Sequence, residues 1–165
     1  PGSTCLYLGA SSGGTVSHIH DIVCGADNHH GGQVVAVEIS PRMVRDLVSL
    51  SEKRSGLFPL LADARRPDLI APILRGKADW IHQDLSIADQ AETFVRICSS
   101  FLSSGGVGLL SLKAASERSS EGDDNSRFKK AERILEESEL ELVERIDLKG
   151  LEEQHVIFSC KSLVC

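Results

Sequence analysis

Short apolar runs and amphipathic stretches take turns along this chain, and their order predicts its elements. Leu6, Tyr7 and Leu8 make the first run, and Val16, Ile19, Ile22 and Val23 then recur at helical spacing. Gln33-Val34-Val35-Ala36-Val37-Glu38 predicts a buried strand that ends in an acid. Ser40-Pro41 opens the next helix, with serine as N-cap and proline at the first helical position. Met43, Val44, Leu47 and Val48 form its apolar stripe, and Gly56 stops it. A third strand is predicted over 57–61, a short helix over 67–74 closed by Gly76, and a fourth strand over 78–84. Ser86 and Asp89 read as a capping pair for a helix whose broad apolar face is Ile87, Ala91, Phe94, Val95, Cys98, Phe101 and Leu102. Gly105-Gly106 ends that helix, and a fifth strand over 107–112 runs to Lys113. Residues 114–126 are polar and low in complexity, which predicts a surface loop. A charged amphipathic helix follows over 127–138. Strands over 140–148 and 155–160, with Gly150 between them, predict an antiparallel hairpin.

Strands alternating with helices predict an α/β fold built on an open, mostly parallel sheet. No internal repeat or linker divides 1–165, so a single domain is expected. In such sheets ligands bind at the carboxyl ends of the strands. The first of these ends is the small-residue loop Gly9-Ala10-Ser11-Ser12-Gly13-Gly14-Thr15, which leads straight into a helix. Small residues let a ligand approach the backbone, and a helix N-terminus favours a negative group. The plainer alternative is a tight turn that only packs strand on helix. Glu38 lies 25 positions after Gly13, near the ~20-residue offset of an acid that accepts two hydrogen bonds from a ribose diol. Its alternative is a solvated strand end. Asp63, Asp84 and Lys113 close or follow three further strands. Five polar or glycine-rich strand ends along one edge predict a binding site there.

Composition narrows the partners. The net charge is −6 and only 4% of residues are aromatic. A chain that held nucleic acid unaided would be basic, and a stacking platform needs rings. If RNA is the substrate, other components are expected to carry most of it. No apolar run approaches the ~20 residues of a membrane span, so no membrane partner is expected. Cys5, Cys24, Cys98, Cys160 and Cys165 are scattered and odd in number, which fits reduced intracellular thiols. His18, His20, His29 and His30 are not joined by a cysteine or acid at ligand spacing, so no metal site is expected. Trp80 reads as core. The loop lacks the Gly-x-Gly-x-x-Gly spacing, which argues against a nicotinamide dinucleotide enzyme.

Five segments together carry a family resemblance. They are Leu6-Tyr7-Leu8-Gly9-Ala10-Ser11-Ser12-Gly13-Gly14-Thr15-Val16-Ser17-His18, the run Val35-Ala36-Val37-Glu38-Ile39-Ser40-Pro41-Arg42, Asp63-Ala64-Arg65-Arg66-Pro67, and residues 84–90 and 152–158. In this order and spacing the chain resembles the fibrillarin family, guided ribosomal-RNA 2′-O-methyltransferases, from 6 to 161. The resemblance implies a class I, Rossmann-like methyltransferase fold with a seven-stranded, mostly parallel sheet, an antiparallel C-terminal hairpin and helices on both faces. It implies S-adenosylmethionine as cofactor. Gly9, Ala10, Gly14 and Thr15 match the loop on its methionine end, Glu38 the acid on its ribose, and Ile39 the apolar residue beside the adenine. Asp63 and Ala64 match the adenine edge, and Asp84 matches the acid near the methionine amino group and the reacting centre. Lys113 and His155 match the last lysine and the histidine of the family's Lys-Asp-Lys-His set.

The implied activity is methyl transfer to the ribose 2′-OH of rRNA inside a box C/D guide particle. Its partners would be guide RNA and target rRNA, a Nop-family scaffold protein and an L7Ae-like RNA-binding protein, in the nucleus and nucleolus. The hydroxyl must lose its proton, and Lys113 could accept it if burial favoured the neutral amine. Asp84 would oppose this and mainly orient the lysine. The alternatives are a structural Lys113–Asp84 ion pair and a His155 bonded to backbone. Three departures stand out. The family's first active-site lysine falls upstream of Pro1. The family's smaller N-terminal domain and the Gly/Arg-rich tail lie outside this sequence. Within the motifs Ile87 stands where a cofactor-contacting glutamine is usual, Gln154 replaces an acid and Gly14 a threonine. These departures keep open a second function, a non-catalytic or weakly cofactor-binding scaffold module of the same particle.

Overall fold

The computed structural model describes residues 1–116, 123–148, 150 and 154–163. Its main elements are β1 (Thr4–Leu8), α1 (Gly14–Val23), β2 (Gln33–Glu38), α2 (Pro41–Ser51), β3 (Leu57–Leu61), α3 (Pro67–Ile70), β4 (Ala78–Gln83), α4 (Gln90–Phe101), β5 (Leu102–Lys113), α5 (Asp124–Glu136), β6 (Leu140–Asp147) and β7 (His155–Ser162). The strands form a seven-stranded sheet in the order β3-β2-β1-β4-β5-β7-β6. β1, β2 and β3 pair in parallel, whereas β7 runs antiparallel to both β5 and β6. This is the expected α/β architecture, a mixed sheet with helices. The chain resolves into two compact units, Pro1–Ile81 and His82–Cys165.

In the first unit, β1 and β2 are buried on both faces. Cys5, Tyr7, Val34 and Ala36 pack with Val16, Ile19, Val23 and Leu47, while Leu6, Leu8, Val35 and Val37 on the opposite face are also buried. Continuous apolar runs rather than alternation are what such strands require. The α1 stripe differs from the expected one. His20 is 3% exposed and takes the fourth buried place, while Ile22 is 59% exposed. At about 100° per residue, positions 16, 19, 20 and 23 share a face and 22 falls off it. His20 tolerates burial because both ring nitrogens are engaged, Nε2 with Ser55 O at 2.9 Å and Nδ1 with Arg54 at 3.2 Å. Arg54 in turn pairs with Asp21. By the same geometry α2 buries Leu47 and leaves Val48 exposed. The helix expected over 67–74 is only Pro67–Ile70. Ala71 N–H still donates to Pro67 O at 3.0 Å, but Pro72 has no N–H with which to extend the ladder. Trp80 packs against the first unit's core as expected.

In the second unit, Leu110, Leu112, Val156, Phe158 and Cys160 form a buried face with Phe94, Ile97, Cys98, Phe128, Ala131 and Leu135 of α4 and α5. The alternate residues of β5 and β7, from Ser111 and Lys113 to His155 and Ile157, are half-buried. That half-open face carries the polar groups. α4 begins at Gln90, with Asp89 rather than Ser86 as its N-cap, so Ile87 precedes the helix instead of lining it. Thr93 Oγ1 donates to Asp89 Oδ2 at 3.1 Å. β5 starts at Leu102, and Gly105-Gly106 lies inside the strand rather than ending α4. α5 starts at Asp124 because Asp123 caps it, accepting from Ser126 N at 2.9 Å and Ser126 Oγ at 2.6 Å. Residues 117–122 of the expected loop lie outside the described residues. Lys113 pairs with His155 in the β5–β7 register.

Candidate functional site

The first unit holds most of the expected cofactor residues on the loops after β1, β2 and β3. Gly9 N–H and Ala10 N–H both donate to Val37 O, at 2.9 and 3.0 Å, so the loop is sewn to the end of β2. Ser11 has φ 50°, a left-handed conformation that costs a residue with a Cβ. Its N–H donates to Glu38 Oε2 at 2.8 Å. Glu38 Oε1 accepts from Ile39 N and Ser40 N, both at 2.9 Å. Glu38 is thus a backbone clamp in which Oε2 keeps one further lone pair for a ribose hydroxyl. Gly13, at φ 97°, is the α1 N-cap and offers no side chain to the helix N–H groups. A Cβ there would sit 2.7 Å from Leu50 Cδ2 and 2.9 Å from Leu47 Cδ2, so α2 moulds the loop from below. A Cβ on Gly14 would meet nothing within 4 Å. Thr15 is exposed beside it. This open, amide-rich helix start fits the amino-acid end of S-adenosylmethionine.

Beyond Glu38, Ile39 is 63% exposed, an apolar side chain at a polar strand end. Asp63 is gripped by Arg65, with Nε to Oδ1 at 3.0 Å and Nη2 to Oδ2 at 2.7 Å. These bonds hold its carboxyl below the usual carboxylate range, against a smaller opposing effect of burial. Ala64 is buried. Ala62 N–H donates to Glu38 O at 3.1 Å and brings the ends of β2 and β3 together. A carboxylate for a diol, an exposed aliphatic side chain and a neighbouring acid suit the nucleoside end of the same cofactor.

The second unit holds the charged residues. Asp84 follows β4, Lys113 ends β5 and His155 starts β7. Lys113 Nζ lies 2.8 Å from Asp84 Oδ1, with the side chains 31% and 34% exposed. Asp84, Ser111, Lys113, Leu148, His155 and Val156 line a cavity of about 320 Å³. The three expected catalytic residues therefore share one cavity. Ile87 is half-buried in the segment between β4 and α4. An acid, an amine and an imidazole around one opening can orient an alcohol and pass its proton.

Sequence reasoning missed Ser111 and His82. Ser111 lines the cavity, and its Oγ lies 3.1 Å from His82 Nε2. Burial holds the His82 imidazole below its usual range, partly offset by the Asp84 charge. Period-two alternation would have found Ser111, which shares a strand face with Lys113. Among the described residues no group of three or more His, Cys, Asp or Glu could hold a metal ion. Nor is any described helix long and apolar enough to cross a membrane.

The model of the family described as Fibrillarin matches residues 1–163. A fibrillarin-like rRNA/tRNA 2′-O-methyltransferase of Methanococcus voltae is 36% identical over 159 residues, which cover 95% of this chain and 65% of that protein. The chain thus spans just under two thirds of the length of that curated relative. Among solved structures, a fibrillarin/Nop5p complex superposes with a TM-score of 0.84 at 30% identity, covering 97% of this chain and 73% of the other. Aeropyrum pernix fibrillarin with natively bound S-adenosyl-L-methionine gives a TM-score of 0.79 at 30% identity, covering 96% of this chain and 66% of the other.

Proposed function

The chain belongs to the fibrillarin family, and from that membership we propose that it carries the methyl-transfer site of an RNA ribose 2′-O-methyltransferase. The observation that carries the reading is the Asp84–Lys113 ion pair at the cavity shared with His155. S-adenosylmethionine, when bound, supplies an electrophilic methyl carbon. Gly9, Ala10, Gly14 and Thr15 would hold its amino-acid end, Glu38 its ribose hydroxyls, and Ile39, Asp63 and Ala64 its adenine. Asp84 and Ile87 stand at the two remaining positions that the family resemblance assigns to cofactor contact.

The work left to the protein is to orient the 2′-hydroxyl and remove its proton, since positioning supplies much of the rate in a displacement. Lys113 Nζ, once it has given up its own proton to solvent and stands as the neutral amine, is the group proposed to take that proton, with Asp84 orienting the side chain and His155 lining the same cavity. The net charge of −6 supports a subunit that leaves most of the RNA to others. A Nop-family scaffold protein is the proposed partner, in line with the solved fibrillarin/Nop5p complex. Guide RNA, target rRNA and an L7Ae-like protein complete the proposed box C/D particle, with the nucleolus as its compartment.

Calorimetry with S-adenosylmethionine, and separately with NADH, tests the cofactor, with Glu38→Ala as control. Methyl transfer to a guided ribose in a particle reassembled with the full-length protein tests the reaction. Binding of S-adenosylmethionine alone, weakened in the variant, together with transfer, is the expected result. Binding and assembly without transfer would establish the scaffold module instead, a reading that the isoleucine at position 87 favours.

A further inference from the structure

Lys113 is the last residue of β5, while β4 stops at Gln83. On the β7 side the backbone bonds continue, with Ala114 N–H donating to Gln154 O at 3.0 Å. The N–H and C=O of Lys113 itself both bond to one side chain, and the C=O accepts a second bond from Ser116 N–H at 3.1 Å. Lys113 N–H donates to Gln90 Oε1 at 3.0 Å, and Gln90 Nε2 donates to Lys113 O at 3.0 Å. A strand residue normally exchanges this pair of bonds with a neighbouring strand. The Gln90 carboxamide stands in for that strand's peptide unit just where the ladder runs out.

The bracket is itself held firmly. Gln90 is wholly buried and is the first residue of α4. Its own C=O accepts from Nε2 of Gln83, also wholly buried, at 2.7 Å. Asp84 is the next residue after Gln83. Two buried amides therefore tie together the end of β4, the start of α4 and the end of β5, and the charged pair hangs from that knot. Neither glutamine is itself among the residues that line the cavity.

We propose that Gln90 is a positioning residue for methyl transfer. By gripping both backbone groups of Lys113 it fixes the strand end from which Nζ reaches Asp84 and the cavity. The proposal rests on the methyltransferase reading for its kinetic consequence, but not for its structural one.

The test uses Gln90→Glu, which keeps the shape and one acceptor but cannot donate to Lys113 O, and Gln90→Met, which removes both bonds. Each is made alone and with Lys113→Ala, and the particle containing the full-length protein is assayed for single-turnover methyl transfer. The expected result is a rate loss of about 10- to 100-fold, the scale of an ångström of misplacement, with S-adenosylmethionine affinity within about twofold of the parent. In the Lys113→Ala background the same change should cost nothing further, because coupled residues are non-additive. An unchanged rate, or the same loss in both backgrounds, overturns the proposal. If Gln90→Met does not fold, Gln90→Glu carries the test. If the parent particle transfers no methyl group, the methyltransferase reading fails, and a crystal structure of Gln90→Glu then decides the inference. Lys113 Nζ and Asp84 Oδ1 more than 4 Å apart supports it, and an unchanged 2.8 Å pair refutes it.

Discussion

Glu38→Gln should destabilise the chain before any cofactor is added. The carboxylate accepts three backbone N–H bonds, from Ser11, Ile39 and Ser40. In glutamine one oxygen becomes an amide donor. The least costly orientation keeps oxygen toward Ile39 and Ser40 and turns the NH₂ toward Ser11, donor against donor. The Ser11 bond is then lost, and the other two change from charge-assisted to neutral. Charged hydrogen bonds contribute about 1.5–3 kcal/mol and neutral ones about 0.5–1.5. Water reaches most of these groups, so the low ends of both ranges apply: the lost bond costs about 1.5 kcal/mol and each weakened one about 1, a total of about 3.5 kcal/mol. For a domain of this size that lowers Tm by about 7–14 °C. Thermal melting by circular dichroism at neutral pH, without cofactor, measures it, and hydrogen exchange at the Ser11 amide locates it. A Tm within about 1 °C of the parent, with Ser11 exchange unchanged, would refute the idea that Glu38 shapes the loop.

Four further outcomes follow from the geometry. Lys113→Met should slow guided methyl transfer by about 10²- to 10⁴-fold, the usual worth of a positioned proton acceptor; a radiolabel assay on the reassembled particle reads it. His82 is held below its usual range by burial, so the unfolded chain binds its proton first as the solution is acidified. Stability should therefore fall as pH drops from the imidazole's ordinary value of 6.5 toward its lower folded value, and His82→Gln should flatten that part of a denaturant-derived stability profile. Gly13→Ala should destabilise by about 1–3 kcal/mol in urea titrations because φ 97° is a left-handed conformation. Gly14→Thr, which projects into open space, should fold like the parent and bind S-adenosylmethionine more tightly by calorimetry.

The strands were legible because their chemistry is blunt. The β-branched run after Gln33 and the apolar run at Leu57 each place their strand at its observed bounds. The five strand-end groups were legible for the same reason, since a polar group ending an apolar run stands out. What escaped depends on neighbours that are distant in sequence. His20 enters the core only because Ser55 and Arg54 reach it. The α4 start depends on amide bonds that link Gln90 to Lys113, 23 residues on. Ser111 looks like any strand serine until Lys113 and His155 are seen around the same cavity. Periodicity registers a side chain's class but not the single partner that fixes its place.

The four described cysteines, all free and all buried, give the protein a built-in reporter of its own opening. Cys5 and Cys24 belong to the first unit, Cys98 and Cys160 to the second. Burial pushes the Cys5 and Cys160 thiols up to about 12 and raises Cys24 and Cys98 as well. A thiol that is both enclosed and protonated is inert to an alkylating reagent until the chain around it parts. In a Cys165→Ser background, the labelling rate of each pair is therefore a clock for one half of the molecule. Equal rates would mean that both halves open in a single event. Unequal rates would rank them, and slowing of the first pair alone on adding a nucleoside ligand would show which half that ligand braces.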